Sequence, residues 1–501
     1  MARMTEPQET IERDFAVSNA VGEKDIKITA TEEARDVESD AESSSPSKSG
    51  SIWTIIGSAM ANYSDGYQQG LASPTNVIFQ HLLGTATYTS STQTRLSNAL
   101  LIGSVVGILL LGYTSDISSR KTGILLTTLL VILGSLLSTL AFQIHPSSNM
   151  LWYLTIARGI AGVGVGGEYP TSAAAALEGS ADHFDSNRGP IQVLISTLMA
   201  TTGSPSATFV YLISLLASGN NLHIAFHAIY SISTILPLLV LLLRLKMTHG
   251  SLFLRSNFRT RRIPWLYALR SFCWRLLGTS TAFFLYDFVN FPNSIMSAAI
   301  INSLVPGKNV RTVALWQFIL AVFPIPGVLL GSWLVNRIGR RWTGILGFAG
   351  YIVLGFIIGG CYAQLTTSGN LPVFIVLYGL LQCMGHMGPG ATIGLMSVES
   401  FPTALRGVGY GVSAGFGKAG AAVGTQVFTP IEEAAGKRAT FFVAGAVGVL
   451  GAGVYWFLPE GRGVDLREMD EEFERGLRES GYVEKEEVVG GRSCEVMRQR
   501  E

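Results

Sequence analysis

The sequence predicts an all-α membrane protein with twelve transmembrane helices in two pseudo-symmetric six-helix halves. Three observations lead there. Of the 501 residues, 48% are hydrophobic and only 14% charged, a balance suited to lipid rather than water. Apolar runs long enough to cross a hydrocarbon core, roughly 20 residues each, recur along the body of the chain. Landmarks of the first half return in the second at a nearly constant offset. Asp65 is echoed by Asp287, and Glu178 before Arg188-Gly189 by Glu399 before Arg406-Gly407. Such internal repeats are a transporter architecture, with the site at the interface of the halves.

Taken in order, the first span (52–82) is long enough to require tilt or a break. Spans 94–114 and 121–142 flank the short loop GYTSDISSRK (112–121), and span 150–177 contains GVGVGGEYPTSA. Spans 189–216 and 222–246 complete the first half. A linker at 247–267 leads to the second long span, 268–302, followed by 312–336, 342–364, 371–398, 407–431 and 439–458. The predicted domains are therefore an N-terminal tail (1–51), two halves (52–246 and 268–458), the linker between them, and a C-terminal tail (459–501).

The net charge of +1 conceals a division. Residues 1–50 carry twelve acids against six bases, and 459–501 carry thirteen against eight, whereas the body is basic. The polar N-terminal tail reads as disordered and cytosolic, with no cleavable signal peptide. Lys and Arg cluster in loops after even-numbered spans, including Arg120, Lys121, Arg188, Arg337, Arg340, Arg341 and Arg406. The odd loops are nearly bare, which places both termini in the cytosol. Nothing in this pattern favours a nucleic-acid partner. The four cysteines are scattered, so neither a disulfide framework nor a metal site is expected. No hydrolytic triad or nucleotide loop supports an enzyme, and no cofactor is implied. The glycines of GVGVGGEYP lie inside a helix, where small residues let neighbouring helices approach closely.

Asp65, Glu168, Asp287 and Lys418 lie near mid-span. Ionisable groups at that depth are costly and normally face a cavity or a partner. Together they point to one central site for an anion and protons; the alternative is a set of structural ion pairs bracing helices. Lys418, within GFGKAG, lies too far from the end of its span to be a snorkelling residue, and its compact ammonium suits phosphate or carboxylate.

The loop G112-x3-D116-x3-R120-K121 and its echo at 331–341 resemble the signature loop of the major facilitator superfamily, with Asn336 where an Asp is more usual. GGEYPTSA, the run from SVESFPTALRG to SAGFGKAG (397–420), the YDF at 286–288 and PEGRGVDL (459–466) resemble that superfamily's phosphate:proton symporter branch. SDGYQQGLASPTNVI (64–78) and LYDFVNFPNSI (285–295) are most similar to fungal glycerophosphoinositol and glycerophosphodiester permeases. The resemblance spans about 52–466. It implies substrate binding by Tyr169, Asp287 and Lys418, and proton handling by Asp65, Glu168 and Asp287. Gating falls to Asp116, Arg120, Lys121, Glu178 and Arg188 in the first half and to Arg337, Arg340, Glu399 and Arg406 in the second. Phe283 stands for a binding tryptophan, Phe291 for a tyrosine and Met199 for a glutamine, each change removing a donor and favouring an organic over a bare phosphate. The expectation is a monomeric proton-coupled symporter of a phosphate-containing anion, glycerophosphodiester or inorganic phosphate, in the plasma membrane. An exporter of another organic anion and a nutrient sensor on the same fold remain open.

Overall fold

A computed structural model describes residues 48–117, 120–183, 188–245, 265–367, 369–463 and 466–480. The N-terminal half contains six helices. α1 comprises Lys48–Gly70 and Ala72–Thr87; α2 is Ser90–Ile117, α3 Arg120–Thr139 and α4 Ser147–His183. α5 comprises Arg188–Val193, a π-helical turn at Leu194–Leu198, and Met199–Ala217; α6 is Leu222–Arg244. In the second half, α7 is Trp265–Leu304, α8 comprises Val310–Val322 and Pro324–Arg337, and α9 is Arg340–Gly360. α10 comprises Leu371–Gly385, a π-helical turn at His386–Gly390, and Ala391–Glu399. α11 is Thr403–Ala435 and α12 is Arg438–Phe457.

Seven helices among the described residues are long and apolar enough to span a membrane, lying in α2, α5, α6, α8, α9, α10 and α12, and a shorter apolar stretch belongs to α3. The four that fall short are α1, α4, α7 and α11, which carry Asp65, Glu168, Asp287 and Lys418. The helices that build the polar interior thus have the weaker span signal. Leu109 and Leu110, each 59% exposed, belong to the apolar surface that a bilayer would cover.

Each half has its own apolar core, one around Phe79, Phe226 and Tyr230, the other around Phe348, Phe374 and Phe441. Within the halves, glycines set the spacing. A Cβ on Gly162 or Gly166 of α4 would collide with the Leu100 or Ser104 carbonyl of α2, and one on Gly66 of α1 with that of Ala200 in α5. The GVGVGG run is therefore a helix-packing surface. The glycines beside Lys418 act likewise: Gly417 rests on Phe283 and Gly420 on the Phe284 backbone, both of α7. They bring α11 against α7.

The halves meet along α2 and α11, α5 and α8, and α1 and α7. On the face where α1 begins and α12 ends, Val193 of α5 packs with Val328 and Val335 of α8 and Leu395 of α10. On the opposite face, His81 and Asn302 lie 3.3 Å apart, Thr94 and Thr429 3.0 Å, and Asn98 donates to the Ala422 carbonyl at 3.2 Å. Among the described residues the halves thus touch on both faces.

A longer helix also lies outside the twelve spans. α13, Leu466–Glu479, occupies what the sequence assigns to the C-terminal tail. Met469, Phe473 and Leu477 repeat at four-residue spacing on one side of it, and the last two pack on Ala268, Phe401 and Leu405. Asp470 accepts from the backbone N–H and the hydroxyl of Thr403, each at 2.6 Å, and so caps α11 from a different segment.

Candidate functional site: a charged cavity between the halves

Helix irregularities surround a central cavity of about 220 Å³. The π turns of α5 and α10 contribute Ser196, Thr197, His386 and Gly390, and Pro324, at the break in α8, also lines it. Such turns release backbone groups from helical bonding, which membrane proteins tolerate where a cavity or a partner takes them up. Here Thr197 donates to the Gly390 carbonyl at 3.3 Å, so the two π turns meet across the halves.

Lys418 of α11 and Asp287 of α7 form an ion pair of 3.3 Å on the cavity wall, both buried. The ammonium lies 4.0 Å from the centre of the Phe291 ring and 4.9 Å from that of Tyr169. Aromatic faces attract a cation without neutralising it, so Lys418 keeps its charge for a ligand. Gln69 donates to the Tyr169 hydroxyl at 2.8 Å, which leaves the phenol proton to be donated into the cavity. Phe283 lines the same wall, its ring 6.1 Å from that of Tyr410. Thus Tyr169, Asp287, Lys418, Phe283 and Phe291 come together. Met199 does not line the cavity: its neighbours Ser196, Thr197, Ala200 and Thr201 do.

Asp65 and Glu168 are buried behind the lining. Thr128 of α3 donates to the Glu168 carboxylate at 3.4 Å. Glu168 also pairs with Arg244 of α6 at 2.6 Å, and the same guanidinium reaches the Ile124 carbonyl at 3.0 Å and the Thr128 hydroxyl. Arg244 is not among the candidate site residues read from the sequence. Its position at the end of an apolar run, LLLR, was the available signal, and the structure places it 2% exposed inside the N-terminal half.

Among the gating candidates, Arg340 grips Glu399 of α10 with two hydrogen bonds of 3.0 and 3.1 Å. Glu460, beyond α12, accepts from the backbone N–H of Arg340 at 2.9 Å and of Arg341 at 3.0 Å, capping α9. Gly339, with φ +91°, makes the tight turn that presents those N–H groups together. Arg340 also touches the other half, since a Cβ on Gly189 of α5 would lie 2.7 Å from its guanidinium. Arg406 is fully buried and donates to the Val398 carbonyl at 3.2 Å, while Arg337 stacks on Trp333. The side chains of Asp116, Arg120, Lys121, Glu178 and Arg188 lie outside the described residues.

The rest of the lining mixes apolar residues such as Ile295, Leu320 and Ile393 with uncharged hydrogen-bonding ones, among them Asn62, Ser204, Asn290, Ser294, Gln317 and Gln382. Sequence reasoning passed over the hydrogen-bonding ones, although single amides inside apolar helices, such as Gln317 in VALWQFILAV, carry the same signal in weaker form as a buried charge.

Two six-helix halves around a polar, charged cavity at membrane depth define a membrane transporter of the alternating-access kind. The chain belongs to the sugar (and other) transporter family of the major facilitator superfamily, whose model matches residues 50–262 and 265–473. The MFS-type transporter lnaF of Aspergillus flavus is 58% identical over 440 residues, 87% of this chain and 89% of that protein. Glycerophosphoinositol transporter 1 of Saccharomyces cerevisiae is 38% identical over 450 residues, 89% of this chain and 86% of that one. The solved structure of XylE, a proton:xylose symporter from E. coli, superposes with a TM-score of 0.69 over 85% of this chain and 99% of its own, and at 18% identity supports the fold alone.

Proposed function

We propose that this protein is a proton-coupled symporter of an organic phosphate of the glycerophosphodiester type, acting at the plasma membrane with both termini in the cytosol. The observation that carries the reading is Lys418, a buried ammonium and the one Lys or Arg side chain on the wall of a cavity whose other described lining residues include many hydroxyls, amides and aromatic rings. The similarity to a glycerophosphoinositol transporter supports the same substrate class. Asp287 and Lys418 are paired at 3.3 Å. Protonation of Asp287 releases Lys418 to an anionic head, while an ionised Asp287 repels that head; substrate binding and proton binding therefore favour each other. Tyr169 donates to the same anion. The Asp65–Glu168 pair holds a second exchangeable proton, with Arg244 balancing the remaining negative charge. Uptake of an anion against an inside-negative potential costs about 2.3 kcal/mol per charge per 100 mV, which is the reason for coupling to protons. Arg340, Glu399 and Arg406 hold the cytosolic ends of α8–α11 in register as the halves rock.

Uptake of labelled glycerophosphoinositol into vesicles under an imposed inward proton gradient tests this. Other glycerophosphodiesters should compete with it, and dicarboxylates should not. Binding without flux would instead indicate a sensor. Competition by dicarboxylates alone would indicate a different anion. The two phenylalanines bear on selectivity: Phe283→Trp combined with Phe291→Tyr restores two donors beside Lys418. It should shift the preference ratio toward inorganic phosphate by severalfold, each added hydrogen bond contributing about 1 kcal/mol. An unchanged ratio in competition assays would remove both rings from the selectivity argument.

A further inference from the structure

Gln317 lies on α8, on the same wall of the cavity as Leu320 and Pro324. It is 3% exposed, and neither its amide nitrogen nor its amide oxygen has a hydrogen-bond partner. A buried primary amide with both ends unsatisfied is unusual in a folded protein and calls for an explanation. It belongs to the cavity lining, so a ligand there can satisfy it. On α10, His386 lines the same cavity, and its Nδ1 lies 3.0 Å from the Gln382 carbonyl. A carbonyl can only accept, so Nδ1 carries the hydrogen and Nε2 is left as an acceptor.

We propose that Gln317 and His386 form a second, uncharged subsite that binds the polyhydroxylated part of the substrate, while Lys418 holds its phosphate. The proposal rests on the reading of Lys418 as the anion seat. The chemistry selects the ligand class. The free amide offers donors and an acceptor together, and the imidazole offers an acceptor. A hydroxyl matches both, since it donates and accepts. An anionic oxygen has nothing to donate to an acceptor, and a quaternary ammonium head makes no hydrogen bonds. Among the described lining residues the one carboxylate is Asp287, which is paired with Lys418 or, once Lys418 is released to the anion, protonated and neutral. The subsite therefore discriminates a polyol head from a choline head carried on the same phosphodiester.

The test is equilibrium binding of glycerophosphoinositol and glycerophosphocholine to the purified full chain in lipid nanodiscs. The two ligands share the glycerol and the phosphodiester and differ in the head. Gln317→Leu should weaken glycerophosphoinositol roughly tenfold, as expected for the loss of two modest hydrogen bonds. Glycerophosphocholine affinity should stay within about twofold, which also reports that the variant is folded. Should Gln317→Leu fail to insert, Gln317→Met keeps the side-chain length and gives the same readout. Equal weakening of both ligands, or no weakening of either, overturns the subsite. If the wild type binds neither ligand, the anion-seat reading fails first and takes the subsite with it, an outcome distinct from a wild type that binds both without discrimination through Gln317.

Discussion

Replacing Lys418 with alanine is expected to abolish substrate binding in a protein that still inserts into the membrane. Truncating one partner of a buried charged contact typically costs about 2–5 kcal/mol of binding, a loss of two or more orders of magnitude at its centre. The change also leaves Asp287 buried without its 3.3 Å partner. A carboxylate stranded in that way destabilises a fold by about 3–5 kcal/mol unless it takes up a proton. The double variant Lys418→Met with Asp287→Asn removes both charges and separates the two effects: it should fold as well as the wild type and still fail to bind. Lys418→Arg should be impaired too. A Cβ at the neighbouring Gly417 would already lie 3.0 Å from Phe283 and 3.1 Å from the Asp287 carboxylate, so the wider guanidinium fork has no room on this side. Wild-type affinity in a correctly inserted Lys418→Ala protein, measured by direct ligand binding, would remove Lys418 from the site.

Asp65→Asn should uncouple transport from the proton gradient. Asparagine mimics the protonated acid in size and neutrality, so the buried surroundings of residue 65 and the Glu168–Arg244 pair keep their packing. What it cannot do is release and reload a proton. In reconstituted vesicles the variant should bind substrate and exchange it across the membrane, yet fail to concentrate it when a pH gradient is imposed. A misfolded variant would lose exchange as well. Accumulation at the wild-type level would move the proton to Glu168 or Asp287.

Legibility from the sequence followed a physical rule. Apolar runs and mid-span charges stand out because a bilayer penalises any exception heavily, and that one-dimensional signal located Asp65, Glu168, Asp287 and Lys418. Pairing is a three-dimensional property. That Lys418 faces Asp287 and that Glu168 faces Arg244, which is itself bonded to α3, depends on how glycines set the α7–α11 and α3–α4 spacings, and the apolar pattern does not encode this. Neutral amides such as Gln317 cost too little to interrupt a hydrophobic run visibly. α13 escaped notice because its apolar stripe, Met469, Phe473 and Leu477, is diluted by acidic neighbours that lower its average hydropathy.

The three described buried ion pairs each lie within one half of the molecule: Glu168 with Arg244 in the first, Asp287 with Lys418 and Arg340 with Glu399 in the second. Separating a pair of that kind would add several kcal/mol to an activation barrier. Rocking of the halves need not part the two members of any of these pairs, so the swing itself carries none of that cost; in the proposed coupling Asp287 and Lys418 separate only when a proton neutralises the carboxylate and substrate takes its place. The electrostatic energy that holds each half together is thereby decoupled from the speed at which the halves exchange places. That speed falls instead to the apolar seam around Val193 and Val335 and to the hydrogen bonds around Thr94 and Asn302, contacts that can be broken and remade many times a second.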